Sequence, residues 1–162
     1  MDKKLQNAFN EQIKNELYSS YLYLSMAAHC ESKNLGGFGH WMKVQAKEEK
    51  GHAMKIFDFL IDRGAKVLLR AIPQPPADFD SPLAVFEETL AHEKKVTRLI
   101  DDLYELAQSS GDTASSIFLQ WFVSEQVEEE KNATKILETL KAIKPDSAAL
   151  IMLDRELARR EG

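Results

Sequence analysis

The chain has 162 residues, 44% of them hydrophobic and 29% charged, which is enough for one domain with a sizeable core. Its net charge of -5 argues against nucleic acid as the main partner and leaves cations open. The single cysteine, Cys30, excludes an intrachain disulfide, and no apolar run nears the ~20 residues that span a bilayer; with no apolar leader after Met1, the expectation is a soluble cytoplasmic protein without a membrane partner.

A first helix, α1, is expected over about residues 3–33, because Leu5, Phe9, Gln12, Glu16, Ser20, Tyr23, Ala27 and Cys30 recur at helical spacing on one stripe. Asn34 and Gly36-Gly37 should stop it. A second, α2, is expected over about 38–65, with Phe38, Met42, Glu49, His52, Ile56 and Leu60 on one face. Lys66 to Pro82 contains Pro73, Pro75, Pro76 and Pro82, a density that excludes helix and disfavours strand. About seventeen extended residues span up to ~56 Å, more than the ~42 Å of a 28-residue helix. This crossover can therefore deliver α3 parallel to α2. Ser81 is the expected cap of α3, about 83–110, with Pro82 at the first helical position. Its stripe is Phe86, Leu90, Glu93, Thr97, Ile100 and Tyr104.

After the Gly111-Asp112 turn, α4 is expected over about 113–142, with Phe118, Trp121, Phe122, Glu125, Glu128, Glu129, Asn132, Ile136 and Leu140 facing inward. Pro145 ends it, and a short α5, about 146–158, follows Asp146 or Ser147. The fold class is thus all-α: a single-domain four-helix bundle with one long crossover and a short C-terminal fifth helix. Leu150, Ile151, Leu153 and Leu157 make α5 too apolar for a free tail, and so short a helix is unstable alone. Met26, Met42 and Met54 read as core fillers at helical spacing.

Each long helix carries a glutamate on its apolar stripe. Glu16, Glu49, Glu93 and Glu129 fall within ~5 Å of their helix centres, so stripes that face one another gather them in one layer. No Lys or Arg shares those stripes. Uncompensated carboxylates in a low dielectric cost several kcal/mol each, so either their pKa values rise or a cation sits among them. An oxygen-rich set with one imidazole suits iron or manganese better than zinc.

Di-iron bundles take one Glu from each of two helices and Glu-x-x-His from each of the others. Glu16 and Glu93 supply the first part, and Glu49-x-x-His52 supplies one of the second; α4 has Gln126-x-x-Glu129 instead. One metal position would be held by Glu16, Glu49 and His52. The other would share Glu49 and add Glu93 and Glu129, and is the weaker for lacking a histidine.

Glu16-Leu-Tyr-Ser-Ser-Tyr-Leu-Tyr23, Glu48-Glu49-x-x-His52, His92-Glu93 and Trp121-Phe-Val-Ser-Glu125-Gln126-Val-Glu128-Glu129-Glu130 together resemble the non-haem ferritins of bacteria and archaea, over the whole chain. The resemblance implies an iron-oxidising, iron-storing cage of 24 subunits. It implies oxidation of Fe(II) by O₂ or hydrogen peroxide at two irons per subunit, without haem. It places a third iron position at Glu48, Glu125, Glu128 and Glu129. It also suggests that Tyr23 hydrogen-bonds the site and donates electrons. Glu49, Tyr23 and Gln126 are the expected catalytic set.

Two other activities fit such a bundle. A rubrerythrin-like peroxidase usually carries a Cys-x-x-Cys iron module, which one cysteine excludes. A haem-bearing bacterioferritin would want Glu-x-x-His on α4 and a methionine after the bridging Glu, where this chain has Glu129 and Lys50. A purely structural bundle fails on its buried acids. His29, His40 and His92 are expected at the surface or an interface, Trp121 beside Glu125 as core or redox neighbour, and Glu130 in solvent.

Overall fold

The computed structural model describes all 162 residues. Its regular elements are α1 (Lys3–Ser32), α2 (Gly36–Asp62), α3 (Pro82–Ser109), α4 (Thr113–Ala142) and α5 (Ala148–Leu157). No helix is long and apolar enough to cross a membrane. The starts of three helices are fixed by side chains that accept from otherwise orphaned backbone N–H groups: Asp2 from Leu5, Ser81 from Ala84 and Asp112 from Ser115. Each such cap is worth about 1 kcal/mol.

The architecture is an all-helical four-helix bundle with a long crossover and a short fifth helix. Arg63, just past α2, forms a bidentate pair with Asp112 at the start of α4, both N–O distances being 2.9 Å. The Met1 ammonium reaches the same carboxylate at 3.4 Å. The start of α1, the end of α2, the end of α3 and the start of α4 therefore share one end of the bundle, which makes α2 and α3 parallel. The crossover between them is pinned to α1. Asn10, fully buried, donates to the Lys66 carbonyl and accepts from the Leu68 N–H, and Ser25 donates to the Pro76 carbonyl. Those two anchors lie ~22 Å apart along α1.

The apolar core divides in two. One cluster holds Tyr23, Met26, Phe38, Met42, Phe86 and Leu140; the other holds Phe9, Ile13, Ile56, Ile100, Leu119 and Phe122. Between them on each helix lie buried polar residues: Glu16 and Ser19, Glu49 and His52, Thr89 and Glu93, Gln126 and Glu129.

Three expectations need correction. Gly36 and Gly37 do not belong to the turn; they open α2. A Cβ on Gly37 would lie 1.6 Å from the Asp154 carbonyl oxygen, because α5 crosses there. Asp154 itself accepts from the Gly37 and Phe38 N–H groups at 2.9 and 3.0 Å. Second, α4 is turned about a quarter turn from the expected face. Its buried line is Ser115, Leu119, Phe122, Gln126, Glu129, Ala133, Leu137 and Leu140, leaving Glu128 exposed and Trp121 38% exposed. Third, Met54 is no core filler, being 42% exposed.

Candidate metal centre

Because each polar pair sits at the middle of its helix, the bundle brings four carboxylates and one imidazole together. Glu16, Glu49, Glu93, Glu129 and His52 are each at most 6% exposed. Ligand atoms of Glu16, Glu49 and His52 lie within 4.8 Å of one another, and so do those of Glu49, Glu93 and Glu129. Glu49 belongs to both groups. The His52 Nδ1 is 3.4 Å from one Glu49 oxygen.

No ammonium or guanidinium pairs with any of these four acids. Three buried amides donate to them instead. Gln12 donates to Glu16 at 2.7 Å. Gln45 donates to Glu49 at 3.0 Å and to Glu129 at 2.8 Å. Gln126 donates to the Glu93 carboxylate and carbonyl, each at 3.2 Å, and the Tyr23 O–H donates to the other Glu93 carboxylate oxygen. One acceptor is left over: Glu16 Oε2, fully buried, has no partner. A buried acceptor without a donor is uncommon.

The electrostatics follow from burial and crowding. Burial, then repulsion from Glu49, pushes the Glu16 carboxyl up to about 8. Burial and Glu93 push Glu129 up to about 7. Glu49 is raised well above the carboxylate range by burial and by Glu93 and Glu129. Burial raises Glu93 as well, opposed by the donors Tyr23 and Gln126. The Tyr23 phenol is held far above its usual value by burial and by Glu93. Without a cation, burial and mutual repulsion thus favour the protonated form of these acids. The donor set, mostly oxygen with one imidazole and an unfilled acceptor, fits a hard or borderline divalent ion.

The residues expected for a third position stand in different surroundings. Glu125 Oε1 lies 3.9 Å from the His52 Nε2, and Glu125 and Glu129 group with His52. Glu48 is instead paired with Arg160, Nη2 to Oε2 at 2.5 Å, and Glu128 is exposed. Trp121 meets the His52 ring edge-on at 5.4 Å, with the Lys55 ammonium over its own ring at 4.2 Å.

Three residues expected at the surface, at an interface or in solvent are half-buried. His92 is half-buried between α1 and α3, hydrogen-bonded to Ser19 Oγ at 2.7 Å and packed on Tyr18 and Tyr23; burial pushes it down to about 4. Glu130 is half-buried rather than in solvent and accepts from Thr97 Oγ1 at 2.6 Å. His40, also half-buried, bonds the Arg160 carbonyl. The supporting roles of Gln12 and Gln45 were missed, although a signal existed. Each stands four residues before a central glutamate, so it shares that glutamate's face.

A family profile described as a ferritin-like domain matches residues 6–143. A bacterial non-heme ferritin of Bacteroides fragilis (strain 638R) is 42% identical over 160 residues, 99% of each chain. One of Staphylococcus saprophyticus is 41% identical, over 99% of this chain and 96% of its own. Among solved structures, an open-pore ferritin from the hyperthermophilic archaeon Archaeoglobus fulgidus superposes with a TM-score of 0.98 at 50% identity, covering 99% of both chains.

Proposed function

The chain belongs to the ferritin family, and on that premise we propose that it oxidises Fe(II) at the central layer and stores the ferric product inside a hollow homo-oligomer. The observation that carries this reading is the layer itself. Four acids with no cationic partner and one orphaned oxygen are costly in a metal-free protein, and divalent cations remove that cost. We assign Glu16, Glu49 and His52 to one iron and Glu49, Glu93 and Glu129 to the other, with Glu49 between them.

Iron is the substrate here. Two Fe(II) ions side by side supply two electrons to one molecule of O₂ or hydrogen peroxide, so a one-electron product need not leave. The protein's part is to bind, orient and exchange protons. Glu16 and Glu49 give up protons as ions enter, which couples uptake to pH. Gln45 and Gln126 hold the carboxylates of the position without histidine. Tyr23 fixes Glu93 through its hydroxyl and is close enough to the layer to donate an electron. The second group has only oxygen donors, which favours exchange of its ion with the store. A third iron at Glu48, Glu125, Glu128 and Glu129 would have to share Glu48 with Arg160, which holds only its Oε2.

The family supports assembly into a closed cage, for which we take 24 subunits, in the cytoplasm and without haem. Stopped-flow oxidation of two Fe(II) per chain tests the centre: Glu49→Ala should lower the fast rate at least about tenfold while the helical signal persists. A Glu49→Ala protein that oxidises iron at the parent rate refutes the assignment. Iron retained per chain after aerobic loading separates storage from oxidase chemistry alone.

A further inference from the structure

We propose that Arg160, in the segment after α5, is a positioning residue for the second cation position and acts through Gln45. The inference rests on the two-ion reading above. The geometry runs in one line. Arg160 Nη2 donates to Gln45 Oε1 at 2.8 Å. The Gln45 amide nitrogen then donates to Glu49 Oε1 at 3.0 Å and Glu129 Oε2 at 2.8 Å. Gln45 is 1% exposed, so both ends of its amide must find partners within the protein.

A guanidinium only donates. It therefore fixes which way the Gln45 amide faces, with oxygen outward to Arg160 and N–H₂ inward to the two carboxylates. The reversed amide would set its oxygen against Glu49 and Glu129 and its N–H₂ against the guanidinium. With those carboxylates ionised around a cation, both contacts would be repulsive. Glu49 and Glu129 are two of the three ligands of the second group, and Gln45 hydrogen-bonds neither Glu16 nor His52. Of these two partners only Glu129 is confined to the second group, Glu49 being shared, so the effect of Arg160 should fall mainly on the second ion.

Arg160 is itself held in place. Its guanidinium lies 4.2 Å over the Trp41 ring, its Nη2 pairs with Glu48, and its carbonyl bonds His40. Asp154 clamps α5 to the start of α2. The segment after α5 thus reaches the buried layer from outside the bundle, and its docking sets the orientation of one buried amide.

Anaerobic calorimetric titration of the assembled, metal-free protein with cobalt(II) tests this. The parent should bind two ions per chain in two steps. Arg160→Met keeps an apolar stem on Trp41 and loses the donors. It should weaken the second step about tenfold, within the range for residues that orient ligands, and leave the first within about twofold. Gln45→Leu should do the same. The double variant should be no weaker than Gln45→Leu alone, because Arg160 acts only through that amide. Equal weakening of both steps, an unchanged second step, or additive losses in the double variant would overturn the proposal. A parent that takes up no second ion overturns the two-ion reading instead. Should Arg160→Met fail to assemble, the Gln45→Leu titration decides: loss falling mainly on the second step supports the proposal, and equal loss in both refutes it.

Discussion

Raising the pH from 6.5 to 8 should loosen the metal-free protein. Glu16 ionises near 4.5 in an unfolded chain but is pushed up to about 8 by burial and by Glu49 in the folded one. Between those values the folded protein holds a proton that the unfolded chain has lost. Stability is therefore fully present below the unfolded value and falls as pH rises through the folded one. His92 works in the opposite direction: burial lowers it from 6.5 to about 4, so its contribution is lost only as pH falls below 6.5. The clean window thus runs from pH 6.5 to 8. Over these roughly 1.5 units, at about 1.4 kcal/mol each, Glu16 alone accounts for about 2 kcal/mol. For a chain of this size that is a drop of about 4–8 °C in Tm. The assay is thermal unfolding followed by helical circular dichroism, on chelator-treated protein at fixed subunit concentration. Glu16→Gln should show a smaller drop than the parent, keeping the part that Glu49 and Glu129, raised by the same burial, still contribute. Saturating zinc(II) should abolish it, since ligated carboxylates are ionised at both pH values. A Tm that stays constant or rises between pH 6.5 and 8, or the same drop in Glu16→Gln, would refute the reasoning.

Gly37→Ala should cost about 2–4 kcal/mol, because a Cβ 1.6 Å from the Asp154 carbonyl displaces α5 together with its cap on α2; denaturant unfolding reads the loss. Asp112→Asn should cost about 1–3 kcal/mol by the same assay, since asparagine can still cap α4 but cannot take the bidentate guanidinium. Arg63 holds the Asp112 carboxyl well below its usual range, so this variant should also flatten the loss of stability as pH falls through the acid range. Tyr23→Phe removes the donor to Glu93 and should slow Fe(II) oxidation severalfold, while anaerobic cobalt(II) titration still finds two ions per chain.

The helices and the central acids were legible because their information is local. Stripes of apolar residues at helical spacing reveal a bundle whatever its exact packing. Glu49 and His52 lie three residues apart, so their shared face follows from the geometry of one helix. Four acids at four helix centres must meet once the stripes face inward. The proline-rich crossover was legible for a similar reason, since proline excludes helix and chain length bounds the reach. Even Gln12 and Gln45 left a local trace, each one turn ahead of a central glutamate.

What stayed hidden depends on rotations and contacts that no local spacing contains. A stripe more than 100° wide leaves the rotation of its helix free by a quarter turn. Only packing against the other helices decided that α4 turns Gln126 inward and Glu128 outward. Gly37 read as a stop signal because its reason for being glycine is a carbonyl 117 residues further on. Asn10 gives no signal in the sequence because the backbone it satisfies belongs to the crossover at Lys66 and Leu68. Arg160 carries no local signal at all, yet it reaches Gln45 across 115 residues of sequence. A hydrogen bond between distant residues exists only after the chain has closed on itself, because its energy depends on a separation of about 3 Å that sequence distance does not set.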